Sequence, residues 1–445
     1  MLKELIIVGG GPAGHAAARA AAEAGVSSVL IVERDAFGGT CTNRGCIPTK
    51  FLLTRTGSAR DGAGPETTVD WEQLMKHKAA LVQGLSRSIE RDLQTRKVEI
   101  ARGSASFISP HEIEVSAAGG ARTVFEGEKI ILATGSEPAQ LPGFPADGTA
   151  ILSSDDALQL RKLPESLAVI GSGAVGAEFT QIFARLGVNV SLIEAAERLF
   201  PAEDPEVDKL FRTTYERMGV AVHAGSPVAA IEKLEKRVRV LLSSGDTVEA
   251  ECALVGVGRN LATSGIGCER AGVMLGARSE AVIDDDLRTS QPHIFAAGDV
   301  TGRMLLAHAA SYMGRYAARR SCGLASGKVP YRSIPWAIFT TPEVASVGLT
   351  EAMAKRSGAP CLTRLVPMMD NVKARIDRST EGFFKVVVES ATGKILGGTI
   401  VGDHASDLIH IVALAVHQGM SVSDLRGFSF AHPTIAESIG DLFMI

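Results

Sequence analysis

Leu5 to Glu33 reads LIIVGGGPAGHAAARAAAEAGVSSVLIVE. A β-branched apolar run, Leu5 to Val8, stops at Gly9-Gly10-Gly11-Pro12-Ala13-Gly14; an Ala-rich stretch, Ala13 to Ala24, follows, and a second apolar run, Val29 to Val32, ends on Glu33. That order predicts strand, turn, helix and strand, the context in which GxGxxG carries meaning. Gly9 makes the turn, Gly11 lets backbone approach a pyrophosphate and Gly14 permits close helix packing, while the helix N-terminus stabilises negative charge. Glu33 stands about twenty residues beyond the loop, where a carboxylate meets a ribose hydroxyl. A bound dinucleotide is expected. The glycines alone would also suit a structural turn, and both strands with the acid argue against that reading.

The device recurs in mid-chain. After the apolar run Leu167 to Ile170 comes Gly171-Ser172-Gly173-Ala174-Val175-Gly176, and Glu194 closes the next strand, Asn189 to Ile193. A second dinucleotide is expected there, with the carboxylate favouring NAD over the 2′-phosphate of NADP. Arg198 reads as a surface arginine paired with Glu194 or solvent. Arg237 to Leu242 and Thr247 to Leu254 read as small antiparallel additions to parallel sheets. From Tyr331 the pattern changes to strands (Phe383 to Val388, Ile395 to Val401) followed by helices (Ala405 to Gln418, Pro433 to Leu442), an α+β arrangement. The expected division is a first dinucleotide domain over 1–150 that resumes over 263–330, a second over 151–262, and a third domain over 331–445.

The chain of 445 residues is 45% hydrophobic and 22% charged, long enough for about three domains. A net charge of −4 and a pI near 6.2 give no basic footprint for nucleic acid, so small molecules are the expected partners. Met1 to Val8 runs straight into the glycine turn as a buried strand and not a signal-peptide core, and no stretch is apolar enough to span a membrane. Cys252, Cys268, Cys322 and Cys361 are scattered singly, as in a reducing compartment; a cytoplasmic location is expected.

Directly after the first βαβ unit, Gly38 to Lys50 reads GGTCTNRGCIPTK, with Cys41 and Cys46 placed where a flavin would lie. If Cys41 begins a helix, the two are offset by about one and a half turns, and an irregularity at Gly45 is needed to bring the sulfurs into bonding range. The spacing permits a redox-active disulfide without establishing it. A helix start favours thiolate over thiol, lowering a cysteine pKa from about 8.5, so the reduced pair is expected to react near neutral pH. Two zinc ligands or two inert buried thiols are the other readings, although no second pair lies nearby.

A cysteine pair after one glycine loop and a second loop in mid-chain resemble the flavoprotein disulfide reductases, and the likeness covers essentially the whole chain. The resemblance implies two Rossmann-like domains, for FAD and NAD, and a C-terminal α+β dimerisation domain. Ala133-Thr134-Gly135-Ser136 and Ala297-Gly298-Asp299 resemble further flavin-contacting motifs, so Thr134, Gly135, Gly298 and Asp299 join Gly9, Gly11, Gly14 and Glu33 as implied FAD contacts. Leu305-Leu306-Ala307-His308 resembles the start of a helix beneath the flavin pyrimidine, with Ala307 at its positive end; His308 alone reads as a packed structural histidine. Gly258 joins Gly171, Gly173, Gly176 and Glu194 as an implied cofactor contact. Family likeness also pairs Lys50 with Glu178 beside the flavin and nicotinamide, though nothing in their spacing says they meet.

His432-Pro433-Thr434-Ile435-Ala436-Glu437 resembles the family's catalytic His-Glu motif. Proline at the first helical position would fix His432 at the mouth of the helix Pro433 to Leu442, with Glu437 orienting the imidazole and raising its basicity. Such acid–base work contributes a factor of about 10²–10⁴. In the family this histidine crosses from the partner subunit, which implies a homodimer.

Within the family the likeness is greatest to the lipoamide dehydrogenases, through the cysteine motif, Glu194, Phe339-Thr340-Thr341-Pro342-Glu343-Val344 and the terminal His-Pro-Thr. Glutathione-type reductases normally place arginines to receive NADPH. Mercuric reductases carry a C-terminal cysteine pair, whereas no cysteine follows Cys361 here. Two departures bear on the substrate: Phe430-Ala431 stands where many lipoamide dehydrogenases carry a second histidine, and Thr341 replaces a frequent histidine. The implied reaction is oxidation of a small or carrier-bound dithiol through Cys41–Cys46 and FAD to NAD⁺, with a 2-oxo acid dehydrogenase or glycine cleavage complex as implied partner. The alternatives are a glutathione- or mercuric-reductase-like enzyme acting on another disulfide, and a non-catalytic flavin redox sensor.

Overall fold

The computed structural model describes residues 2–57, 69–324, 327–358 and 360–443. They form two compact units, one of Met1–Phe51, Glu72–Ala139 and Gly258–Val329, the other of Leu52–Trp71, Gln140–Val257 and Pro330–Ile445.

In the first unit, Leu2–Val8 lies between Val29–Glu33 and Arg122–Leu132, parallel to both, with Val8 opposite Val32 and Leu132. Glu99–Arg102 extends the sheet beyond Val29–Glu33, and Ile294–Ala296 adds to Arg122–Leu132, both in parallel. An antiparallel pair, Ser104–Phe107 and Glu112–Ser116, completes it. The central runs are apolar throughout because both faces of a parallel sheet are covered. The helix Pro12–Glu23 is Ala-rich for a related reason. It packs on the helix Ala307–Ser321 so closely that a Cβ at Gly314 would lie 2.0 Å from the Ala13 carbonyl oxygen.

The second unit holds a parallel sheet in the order Ala221–His223, Asn189–Ile193, Ser166–Ile170, Cys252–Val255, Ile151–Leu152. Three antiparallel strands, Val228–Lys233, Val238–Leu242 and Thr247–Ala250, form a separate sheet. Here the reading of Thr247 to Leu254 as one antiparallel run is corrected. The chain breaks at Glu251, whose N–H donates to the Ser166 carbonyl and hydroxyl, and Cys252–Val255 joins the parallel sheet beside Ser166–Ile170. Burial separates the two pieces: Thr247–Ala250 alternates between exposed and buried, whereas Cys252–Val255 is buried throughout, as a central parallel strand is.

The remainder of this unit is an antiparallel sheet in the order Trp336–Ile338, Glu343–Gly348, Ile395–Gly402, Phe383–Glu389, Cys361–Pro367, with the helix Ala405–Gln418 packed on it. The last helix runs over Glu437–Leu442, not from Pro433. Local bonds fold the intervening residues into a turn instead: Glu437 Oε2 accepts the Thr434 N–H at 2.9 Å, and the Thr434 hydroxyl donates to the Ala431 carbonyl at 2.7 Å. Ile435, Ile439, Leu442 and Phe443 anchor this end of the chain in the core with Phe384 and Val386.

Candidate active site

Gly9 and Gly171 both turn with positive φ, 108° and 100°. A Cβ on Gly9 would meet the Ala133 carbonyl oxygen at 2.3 Å, and one on Gly171 the Gly256 carbonyl oxygen at 2.6 Å. Each loop thus lies directly against the end of a neighbouring strand. Gly14 and Gly176 sit over their own loops, with a Cβ 1.8 Å from the Gly9 and Gly171 carbonyl oxygens respectively. Gly11 and Gly173 are N-caps without a side-chain cap, which leaves first-turn N–H groups for an anion.

The acids occupy matching places. Glu33 accepts the N–H of Gly10 at 2.6 Å and of Asp35 at 2.7 Å, and Glu194 accepts those of Ser172 and Ala196, each at 2.8 Å. Each carboxylate therefore braces its loop, and its remaining lone pairs can still receive a ribose hydroxyl. Arg198 is exposed, as a surface arginine facing solvent, and Glu194 is held by backbone donors and the Ser172 hydroxyl.

In the first unit the cysteine segment covers the loop. Gly38 N–H donates to the Gly10 carbonyl at 2.8 Å, and Asn43 Nδ2 donates to the carbonyls of Ala36, Phe37 and Gly39, fixing the turn. Gly11, Pro12, Cys41, Thr42, Ala307 and His308 line one open cavity of about 250 Å³. The uncapped helix Ala307–Ser321 starts there with Ala307 as its first residue. The Thr134 hydroxyl, next to the Gly9 contact, is buried with no hydrogen-bond partner among the described residues. An orphaned hydroxyl beside Gly9, first-turn N–H groups at the Gly11 cap and an acid bracing the same loop are a donor and acceptor set that fits FAD.

Cys41 does not begin a helix. It is the third residue of the short helix Gly39–Arg44; Gly45, at φ −145° and ψ −109°, breaks it, and Cys46 starts the helix Cys46–Gly57. The helix-start argument therefore passes from Cys41 to Cys46. Cys41 and Cys46 lie within hydrogen-bonding reach of one another. The Cys41 thiol is held strongly protonated, first by that hydrogen bond and then by burial, with the Lys50 charge opposing and Asp299 adding to the effect. This runs against the expectation of a lowered Cys41 pKa: the Cys46 sulfur and burial outweigh its place in the first turn of Gly39–Arg44. Asp299 itself is pushed up by burial, against its bond from the Ser136 hydroxyl at 2.6 Å and the nearby Arg259.

Arg259 escaped the sequence reading, which singled out the adjacent Gly258. Its Nε donates to the Ser136 hydroxyl at 2.6 Å and its terminal nitrogen to the Ser136 carbonyl at 2.7 Å, and it stands 3.9 Å from Asp299. Gly135, at φ 78°, and Gly298, at φ 81°, flank this group, and Gly258 accepts the Ala139 N–H at 3.0 Å.

In the second unit Glu178 is buried and accepts the Phe339 N–H at 3.0 Å. His432 Nδ1 lies 2.9 Å from Glu437 Oε1, while the His432 side chain is 70% exposed. The Thr434 N–H, and then His432, hold the Glu437 carboxyl below its ordinary value. Asn371, also missed in sequence, reaches the same turn through the carbonyls of Thr434 and Ile435. Among the described residues no group of three or more His, Cys, Asp and Glu could hold a metal, and no helix is long and apolar enough to cross a membrane.

The family model for pyridine nucleotide-disulphide oxidoreductases matches residues 3–314, and that for their dimerisation domain matches residues 334–443. Dihydrolipoyl dehydrogenase from Bacillus subtilis is 34% identical, covering 99% of this chain and 98% of its own. That from Synechocystis sp. is 36% identical, with the same coverage of each. Among solved structures, LpdA from Mycobacterium tuberculosis superposes with a TM-score of 0.92 at 30% identity, over 99% of this chain and 98% of that one. The HOCl-induced flavoprotein disulfide reductase RclA from Escherichia coli does so with a TM-score of 0.89 at 30% identity, over 99% of each. Glycine loops, cysteine segment and C-terminal sheet alike fall inside these matches: the chain belongs to the FAD- and NAD-dependent pyridine nucleotide-disulphide oxidoreductases and is an enzyme of the dihydrolipoyl dehydrogenase type.

Proposed function

We propose that the protein oxidises a dithiol of the dihydrolipoamide class, delivering two electrons to NAD⁺. A substrate thiolate attacks Cys41 Sγ of the Cys41–Cys46 disulfide, the S–S bond breaks, and Cys46 leaves as a thiolate. The second substrate thiol attacks the first substrate sulfur, closing the product disulfide and releasing Cys41. His432 of the partner subunit, oriented by Glu437, takes the proton of the first thiol, and Cys41 ends with the proton of the second. Cys41 and Cys46 then close their disulfide again as Cys41 gives up its proton, and bound FAD would accept the electron pair so released and supply it as hydride to NAD⁺.

Gly9, Gly11, Gly14, Glu33, Thr134, Gly135, Gly298, Asp299 and Ala307 would hold FAD; Gly171, Gly173, Gly176, Glu194 and Gly258 would hold NAD. Lys50, whose charge already acts on Cys41, would pair with Glu178 beside the flavin. The single observation that carries the reading is the pairing of the cysteines: the break at Gly45 between the helices Gly39–Arg44 and Cys46–Gly57 leaves Cys41 and Cys46 within hydrogen-bonding reach, the proximity that a reversible disulfide needs. The curated relatives named dihydrolipoyl dehydrogenase support the substrate class. The dithiol would arrive free or on a carrier of a 2-oxo acid dehydrogenase or glycine cleavage complex, in the cytoplasm.

Lipoamide-dependent NADH oxidation by the purified holoenzyme tests this, with NADPH and oxidised glutathione in parallel. Turnover with NADH and lipoamide alone is expected, and Cys46→Ser should abolish it. Near-normal turnover of C46S would overturn the dithiol relay.

A further inference from the structure

We infer that Asn371 is a positioning residue for the proton-transfer pair His432 and Glu437, an inference that rests on the reading of His432 as proton acceptor. Asn371 is 6% exposed and stands at the N-cap of the helix Val372–Asp377, where its Oδ1 accepts the Ala374 N–H at 3.0 Å. Its amide nitrogen points the other way. Nδ2 donates to the carbonyls of Thr434 at 3.1 Å and Ile435 at 3.3 Å, and to the Ser438 hydroxyl at 2.8 Å. One buried side chain thus ties a cap to a turn 63 residues further along the chain.

The turn passes this constraint to the imidazole. Thr434, held by its carbonyl, donates its N–H to Glu437 Oε2 at 2.9 Å, and Glu437 Oε1 stands 2.9 Å from His432 Nδ1. His432 is mostly exposed, so packing does little to orient its ring, and the Glu437 carboxylate does that work. Orientation therefore descends from Asn371 through Thr434 and Glu437 to His432. The same short segment carries Met369, Val372 and Ile376, all more than half exposed, which places Asn371 beneath an apolar strip of the dimerisation domain.

Two substitutions separate the cap from the pin. Asn371→Asp keeps an oxygen for the Ala374 N–H but has no N–H to give Thr434 and Ile435; Asn371→Ala loses both functions. Misplacing a catalytic group by about 1 Å can cost about 10²-fold, so both variants should lose roughly 10- to 100-fold in kcat for dihydrolipoamide oxidation. KM for NAD⁺ should stay unchanged, as should NADH oxidation by ferricyanide, which needs the nucleotide loops but no thiol exchange. Dimer content by sedimentation is measured alongside. Recovery of near-normal kcat in N371D would overturn the proposal and leave only a helix cap. Equal loss of the ferricyanide reaction or of the dimer would also overturn it, in favour of general destabilisation. In a His432→Gln background N371D should cost nothing further, because a positioning residue acts only through the group it positions; additive loss would sink it. If H432Q itself turns over dihydrolipoamide normally, the proton-acceptor reading fails instead.

Discussion

At the first glycine loop a Cβ on Gly11 would lie 3.7 Å from the Gly39 Cα, whereas on Gly173, its counterpart in the second loop, a Cβ would meet nothing within 4 Å. The strand ends beside them differ in the same sense. Thr134 follows the Ala133 contact with a buried, unsatisfied hydroxyl; Val257 follows the Gly256 contact with an apolar side chain 42% exposed. Loop, acid and helix are otherwise matched nearly bond for bond. The backbone device offers uncapped helix N–H groups in both places, and the cover is what differs: under the proposed cofactor assignment a loop roofed by the cysteine segment suits a dinucleotide that stays, and an open one suits a dinucleotide that must leave each cycle.

The largest break in this symmetry comes from one methyl group placed in either loop. Gly14→Ala and Gly176→Ala each set a Cβ 1.8 Å from a backbone carbonyl oxygen, so loop or helix must move. G14A should purify without yellow colour. G176A should keep its flavin, read as absorbance per chain, yet show at least a 100-fold slower reduction of that flavin by NADH. A G14A protein that retains flavin would remove the first loop from the cofactor reading.

Glu194→Gln is expected to have an intermediate effect. The charge-assisted bonds from Ser172 and Ala196 become neutral ones and the ribose acceptor is weakened; at about 1.5–3 kcal/mol for a bond to a charged group, kcat/KM for NADH should fall about 10- to 100-fold. Flavin content should not change. NADPH should lose much less, because the repelled phosphate gains what the hydroxyl loses, so the ratio of the two kcat/KM values is the quantity to measure.

These loops were legible because their signal is local: glycine spacing, a strand before, a helix after and an acid at the next strand end all fall within one short stretch. The C-terminal strands Phe383–Glu389 and Ile395–Gly402 were legible for the same reason, as apolar runs with clear ends. What was missed depends on distant partners. Arg259 bonds to Ser136, 123 residues away, and Asn371 to a turn near the C-terminus. Cys252–Val255 was read with the wrong sheet because four apolar residues carry no sign of their neighbour. The helix start at Pro433 failed because a side chain, Glu437, claimed the Thr434 N–H first. The Cys41 expectation failed because the Cys46 sulfur across the break at Gly45, and burial, outweigh the helix start, and neither shows in the spacing.

The finest test concerns Ser172, which stands where the first loop has Gly10. Position 10 is bare because a Cβ there would lie 2.5 Å from the Phe37 ring and 2.9 Å from Glu33 Oε2, whereas Ser172 is fully buried and uses its hydroxyl. That hydroxyl donates to Glu194 Oε2 at 2.7 Å and accepts the Phe200 N–H at 3.1 Å, doing for the second loop what the Gly38 N–H to Gly10 bond does for the first. Ser172→Gly gives the second loop the first loop's residue at this position without supplying the cover. Glu194 keeps the N–H of residue 172 and of Ala196, so its place at the ribose survives and KM for NADH should rise only about threefold, the equivalent of less than about 1 kcal/mol. The stranded Phe200 N–H and the added backbone freedom of glycine should lower the melting temperature by a few degrees, at about 2–4 °C per kcal/mol for a domain of this size. A loss of NADH binding as large as that of E194Q would mean that Glu194 is held chiefly by the serine hydroxyl, and that the backbone bonds shared with the first loop contribute little to it.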